Sequence, residues 1–116
     1  MSDLIIYGIV LHLIADWLLQ NHWMAINKSN PKHPAGYVHA GIHALLFLLI
    51  FPPFVALMLG LAHWFIDLRW PLAAWRQLMR QTTDGPYAIH VQIWTDQVAH
   101  IVYIAVMAWI VSGGAL

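Results

Sequence analysis

Four apolar segments, each carrying two ionisable side chains one helical turn apart, constrain the fold of this chain more than any other feature. The segments cover residues 4–20, 37–51, 53–69 and 88–112, and Pro52-Pro53 separates the second from the third. The chain is 61% hydrophobic and 9% charged, whereas soluble domains average about 45–50% apolar and about 25% charged residues. Helices of a soluble bundle are also polar on one face. We therefore expect an all-α membrane protein rather than a soluble bundle.

The segments predict one membrane domain over residues 1–116, a four-helix transmembrane bundle. About 17–25 apolar residues span a bilayer as a helix. All five basic residues lie in or beside the connections 21–36 and 70–86, which four spans place on one side of the membrane. The positive-inside rule makes that side cytoplasmic. Both termini then lie on the non-cytoplasmic side of a multi-pass protein of the bacterial inner membrane. The connection 70–86 also predicts an amphipathic helix lying at the interface, between the third and fourth spans.

Each apolar segment contributes one pair of ionisable side chains at positions i and i+4. Such residues share one helix face, about 6 Å apart along the axis. With helices of alternating direction, all four pairs fall in the cytoplasmic half of the bundle. In each pair, one imidazole lies deeper in the membrane than its partner. These four imidazoles form a layer beneath a shallower layer of three carboxylates and one imidazole. The pairs are His12 and Asp16, His39 and His43, His63 and Asp67, and Asp96 and His100.

These eight residues predict a metal site, because ionisable groups in a membrane face the protein interior and are usually functional. Imidazole and carboxylate ligands suit divalent transition metals, and helices build dinuclear sites from such motifs. We expect two ions, with zinc first and iron or manganese as alternatives. Gln20 and Gln97 are candidates to orient the ligands. A hydrogen-bonded His–Asp network that only joins helices is the structural alternative.

The predicted function is metal-dependent hydrolysis of an ester or phosphoester at the cytoplasmic membrane interface. Bound metal activates water for such reactions, and Asp16 or Asp96 could act as general base. Four cationic side chains near the mouth are candidates to attract an anionic substrate or lipid headgroup. These are Lys28, Arg69, Arg76 and Arg80.

Other functions use the same residue types. A metal-ion transporter, a di-iron or haem redox protein, and a metal-stapled subunit of a larger membrane complex all remain alternatives. The almost wholly apolar outer half of the segments disfavours through-transport, and haem would leave the three aspartates unexplained. Expected partners are membrane lipid and an amphiphilic or phosphorylated small molecule, with a homo-oligomer or larger complex as a further expectation. The net charge near zero argues against nucleic acid.

The ordered motifs resemble those of a known group of proteins. HLIADWLLQNHWMAINK, HAGIHALL, HWFID and DQVAH, in this order, resemble an uncharacterised family of small bacterial and phage integral membrane proteins. That family is similar in style to membrane-bound metal-dependent hydrolases. The resemblance implies a membrane location, a metal site and hydrolysis. It points to the eight paired residues together with Gln20 and Gln97.

Overall fold

The computed structural model describes residues 2–114, and this part of the chain is helical without any strand. Helix α1 continues directly into a π-helical turn, so residues 2–18 form one rod. The short helix α2 was not predicted, whereas α5 forms within the connection where an amphipathic helix was expected. The elements are α1 (Ser2–Leu13), the π-helix (Ile14–Leu18), α2 (His22–Asn27), α3 (Pro34–Phe47), α4 (Pro53–Asp67), α5 (Trp70–Leu78) and α6 (Ala88–Val111).

Local sequence signals explain where these helices begin. Pro34 and Pro53 occupy the first positions of α3 and α4, where the missing backbone N–H costs nothing and the fixed φ favours the helix. The backbone N–H of Met24 donates to Asn21 Oδ1 at 2.9 Å, which caps α2. His33 caps α3 in the same way, since its Nδ1 accepts from the backbone N–H of Ala35.

Helices α1, α3, α4 and α6 close into a ring, because each packs against two of the others. At one end of this ring lies an apolar core of Phe47, Phe51, Leu59 and Ile104 with the small residues Ala56 and Ala108. Most of the other buried side chains are ionisable. Seven buried side chains are histidine or aspartate, and they belong to His12, Asp16, His39, His43, His63, Asp67 and His100. Such groups are rarely buried without partners, so the interior is organised around their chemistry.

The prediction of a four-helix transmembrane bundle is wrong. Among residues 2–114 only α6, with 24 residues, is long and apolar enough to cross a membrane. The rod of residues 2–18 has 17 residues, and α3 and α4 have 14 and 15. At 1.5 Å per residue they rise only about 21–26 Å, against the ~30 Å of a hydrocarbon core. The apolar segments predicted longer helices than the structure contains, because residues 48–51, although apolar, form the turn before α4.

The predicted topology changes with this result. The placement of both termini outside the cytoplasm depended on four spans, so it is withdrawn together with the multi-pass assignment. The structure supports the coarser statement that one helix could cross a membrane. Only 17% of the apolar stretch of α6 is buried, which differs from the core helix of a globular protein.

Candidate metal centre

The ring of helices brings the four predicted pairs together in one buried cluster. Asp16 lies at its centre, in the π-helix, and its Oδ1 is 3.0 Å from Nε2 of both His39 and His43. Nε2 of His63 lies 3.4 Å from the same oxygen. Three ring nitrogens thus approach one carboxylate oxygen, which has only two lone pairs to offer. The Nε2 atoms of His39 and His63 are themselves 3.0 Å apart. A shared cation would relieve this crowding of ligand atoms.

The π-helix explains how Asp16 reaches the centre. Its widened turn is marked by the hydrogen bond from Leu19 N to Ile14 O, at 3.0 Å. Isolated π-helical turns are uncommon and often occur at functional sites. The expected layers of deep imidazoles and shallow carboxylates are interleaved in the structure, because Asp16 contacts imidazoles on α1, α3 and α4 at one level.

The inner group of potential ligands is almost wholly buried. It consists of His12, Asp16, His43 and His63, whose ligand atoms all lie within 4.8 Å of one another. Each of these residues is at most 5% exposed. Four buried ligands are typical of a structural zinc site.

The outer group consists of Asp67, Asp96 and His100, again with ligand atoms within 4.8 Å of one another. His100 Nδ1 donates to the backbone carbonyl of Asp96 at 2.7 Å. In the neutral ring the proton therefore lies on Nδ1, and Nε2 carries a lone pair. This Nε2 is buried and has no hydrogen-bond partner among the described residues. A backbone carbonyl on one ring nitrogen and a free lone pair on the other is the usual arrangement of a metal-ligating histidine.

A third group of potential ligands, His39, His63 and Asp67, shares members with the other two and links them. Asp67 Oδ2 lies 2.9 Å from His63 Nε2 and 3.5 Å from His39 Nε2. On its other side, Lys28 Nζ approaches the same oxygen at 3.6 Å. Lys28 therefore contacts the cluster directly. The sequence did not indicate this contact, because 39 positions separate Lys28 from Asp67.

The two glutamines predicted to orient ligands differ in their contacts. Gln97 Nε2 donates to Asp16 Oδ2 at 3.3 Å and to Asp96 Oδ2 at 3.2 Å, and Gln97 Oε1 is 3.3 Å from His12 Nε2. Gln97 thus connects both groups of ligands. Gln20 Oε1 is buried without a hydrogen-bond partner among residues 2–114, and its side chain lines the cavity described below.

Burial and mutual contacts set the charge of the cluster. Burial lowers the pKa of His12 to about 4, against the opposing effect of Asp16. Burial also lowers the pKa of His43 and, more strongly, that of His63. Burial alone would raise the pKa of Asp16, but hydrogen bonds from His39 and His43 outweigh it and hold that pKa below its usual range. At neutral pH these three imidazoles are neutral and Asp16 is ionised, which is the state that binds a cation.

A cavity of about 270 Å³ opens beside the outer group. It reaches Asp16, Asp67 and Asp96, and three of the four cationic candidates line it, namely Lys28, Arg69 and Arg76. Arg80 instead lines a separate groove on the other side of α5. Asp96 is the most accessible carboxylate of the cluster, with its side chain 27% exposed. The cavity therefore connects potential ligands to a cationic entrance.

The structure defines an all-helical protein with a buried His–Asp cluster that could hold metal ions. The chain belongs to the family described as "Protein of unknown function (DUF3307)", whose model matches residues 4–115. This result confirms the predicted membership of an uncharacterised family. No curated protein and no solved structure gives a significant match.

Proposed function

We propose that the protein is a dinuclear metal-dependent hydrolase that acts on phosphoesters at the surface of the bacterial inner membrane. The observation that carries the proposal is the outer group. The Nε2 of His100, which has no hydrogen-bond partner among the described residues, lies 3.8 Å from Asp67 Oδ1. Asp67 and Asp96 line the cavity that also contains Arg69 and Arg76. A lone pair and two carboxylates attract a divalent cation far better than they stabilise one another.

The two groups suit different roles. The inner group is buried, with only Asp16 on the cavity wall, and provides four ligands, as structural sites do. The outer group provides three ligands, of which Asp67 and Asp96 line the cavity, as in catalytic sites. A divalent ion in the outer group would supply a Lewis acid and activate water for hydrolysis. Asp96 would be the residue that accepts a proton from such a water, because its carboxylate is the most exposed in the cluster, at 27%. Asp16 is less suited to this role, because both of its oxygens already face imidazole or amide groups.

The cationic residues at the cavity support an anionic substrate. Arg69 and Arg76 have no carboxylate partner among residues 2–114, since no acidic oxygen there lies within 4.0 Å of either guanidinium group. Guanidinium groups bind phosphate oxygens in pairs and with defined geometry. A phosphoester therefore fits the charges of this entrance better than a carboxylic ester.

The contacts of the cluster disfavour two alternatives. A transport path would have to continue beyond the cluster, but the apolar core of Phe47, Leu59 and Ile104 closes that side. A haem would need a flat space between its axial ligands. The imidazoles instead pack on one another, with the ring centroids of His43 and His63 3.5 Å apart.

Membrane attachment is proposed through α6, the one described helix of sufficient length. Large apolar side chains on α3, on α4 and in the turn between them, such as Leu45, Leu49, Phe54 and Leu61, are also exposed and would extend the surface in contact with lipid. An exposed apolar surface of this kind marks a membrane or protein contact.

Hydrolysis of 4-nitrophenyl phosphate by the purified protein tests the proposal. We expect turnover that is lost after dialysis against a chelator and restored by Zn²⁺ or Mn²⁺. His100→Gln should abolish turnover with the fold intact by circular dichroism, whereas His90→Gln, a change at an exposed histidine outside the cluster, should not. Protein that carries stoichiometric metal but hydrolyses no phosphoester would overturn the proposed activity.

A further inference from the structure

Two neighbouring cavities of opposite character meet at α5. The polar cavity beside the outer group contains Arg69 and Arg76, whereas the groove on the other side of α5 is apolar and has a volume of about 900 Å³. Leu72 lines both of them. A single molecule with an anionic end and an apolar end could therefore occupy both spaces at once.

The polar end of this surface is suited to a dianion. Lys28 is engaged with Asp67, which leaves Arg69 and Arg76 as the two cations of the cavity without a carboxylate partner. Arg69 also has a left-handed backbone, with φ 72°, a conformation that is strained for a non-glycine residue and often occurs in binding sites. Two guanidinium groups match the two negative charges of a phosphomonoester.

The apolar end of the surface runs along α6. Its walls include Trp75 on α5 and Trp94, Val98, Val102 and Val106 on α6. From Trp94 to Val106 the helix rises about 18 Å. This is slightly more than half of a ~30 Å hydrocarbon core, which is the depth that one lipid chain reaches.

We propose that the substrate is a lipid phosphomonoester, with its phosphate held by Arg69 and Arg76 and its hydrocarbon chain in the groove along α6. This inference rests on the proposed hydrolase function and specifies its substrate. In the reaction, a water oxygen bonds to phosphorus and the bond between phosphorus and the lipid oxygen breaks. The lipid oxygen leaves as an alcohol after taking up a proton, and inorganic phosphate is released.

Binding can be measured without turnover by using a single-chain alkyl phosphonate, whose C–P bond is not hydrolysed. Bromine atoms in the chain quench tryptophan fluorescence on contact, and Trp75 and Trp94 line the groove. With the protein as isolated in detergent, we expect the phosphonate to quench at a concentration about tenfold lower than a brominated alkyl trimethylammonium of equal length. Hydrogen bonds to charged groups are strong enough for this preference.

Two sets of variants test the two ends of the molecule separately. The double variant Arg69→Gln, Arg76→Gln should lose the preference for phosphonate, whereas Lys32→Gln, at an exposed lysine that lines neither cavity, should keep it. Val98→Phe, which fills the groove without adding a tryptophan, should weaken quenching by the phosphonate, whereas Ile110→Phe should not. Ile110 provides the matched control, since it is exposed on the same helix and lines neither cavity.

Turnover separates this inference from the proposed function. Faster hydrolysis of hexadecyl phosphate in mixed micelles than of 4-nitrophenyl phosphate, with Val98→Phe slowing only the former, would support the lipid substrate. Equal quenching by both head groups would overturn the lipid substrate, and so would a long-chain reaction that Val98→Phe does not slow. In either case, hydrolysis of the short ester would still support the hydrolase. Hydrolysis of neither ester would overturn the hydrolase itself.

Discussion

Replacement of Gly60 by alanine tests whether the close contact between α3 and α4 builds the cluster. A Cβ atom at this position would lie 2.8 Å from the Cβ of Ala44 and 3.2 Å from the carbonyl oxygen of Ala40. Both atoms belong to α3 and cannot rotate away, so the two helices must separate by several tenths of an ångström. Overpacking of this kind typically costs about 1–3 kcal/mol.

Gly41→Ala provides the matched control for this change. Gly41 is also inside a helix, but a Cβ atom there would meet nothing within 4 Å. The control should gain about 1 kcal/mol from the higher helix propensity of alanine. Because both variants make the same chemical change, the difference between their free energies of unfolding isolates the overpacking, and we expect about 1–3 kcal/mol.

The assay is thermal unfolding followed by circular dichroism in detergent, combined with metal affinity measured against a competing chelator. His43 and His63, whose ring centroids are 3.5 Å apart, flank this helix contact, so Gly60→Ala should also weaken metal binding. Ala44→Gly in the Gly60→Ala background removes the 2.8 Å contact and should recover both properties, as coupled neighbours do. Equal stability of Gly60→Ala and Gly41→Ala, or no rescue by Ala44→Gly, would refute the reasoning.

Three further predictions concern charge and capping. Lys28→Met should tighten binding of a divalent cation about tenfold, because it removes a positive charge 3.6 Å from Asp67; weaker binding in a chelator competition would contradict this. The free energy of unfolding of the metal-free protein should fall by about 2 kcal/mol between pH 7.5 and 5 through the protonation of His12 alone. Its pKa is about 4 when folded, against the ordinary 6.5 of a histidine side chain, so the unfolded chain binds more protons in this range. A melting temperature that is unchanged or higher at pH 5 would exclude this effect. Asn21→Ala should lower the free energy of unfolding by about 1 kcal/mol, because it removes the side chain that accepts from the backbone N–H of Met24. Asn21→Asp should keep this cap and the stability in the same melting experiment.

The pairing of ligands was readable from the sequence, because i and i+4 positions share a helix face whatever the tertiary structure. All eight paired residues lie in the cluster, and Gln97 contacts members of both groups. Whether they bind metal remains a prediction. The α-helical class and the amphipathic helix after Arg69 were also predicted, since they depend on local periodicity.

Three features depended on tertiary contacts and could not be predicted. Apolar composition does not reveal where a helix ends, so residues 48–51 were counted as helix and the number of transmembrane spans was overstated. The π-helix at Ile14–Leu18 has no sequence signature of its own, yet it places Asp16 against three helices. The contact of Lys28 with Asp67 requires α2 to fold over the start of α3, a packing that local patterns do not encode.

Elemental analysis of the purified protein tests the central claim most directly. The His–Asp cluster should hold close to two transition-metal ions per chain. His100→Gln should lose the outer ion and keep the inner one, His43→Gln should lose the inner ion, and His90→Gln should keep both. Wild-type protein with only trace metal after purification without chelators and reconstitution with Zn²⁺, or equal metal content in His100→Gln and His90→Gln, would contradict the account.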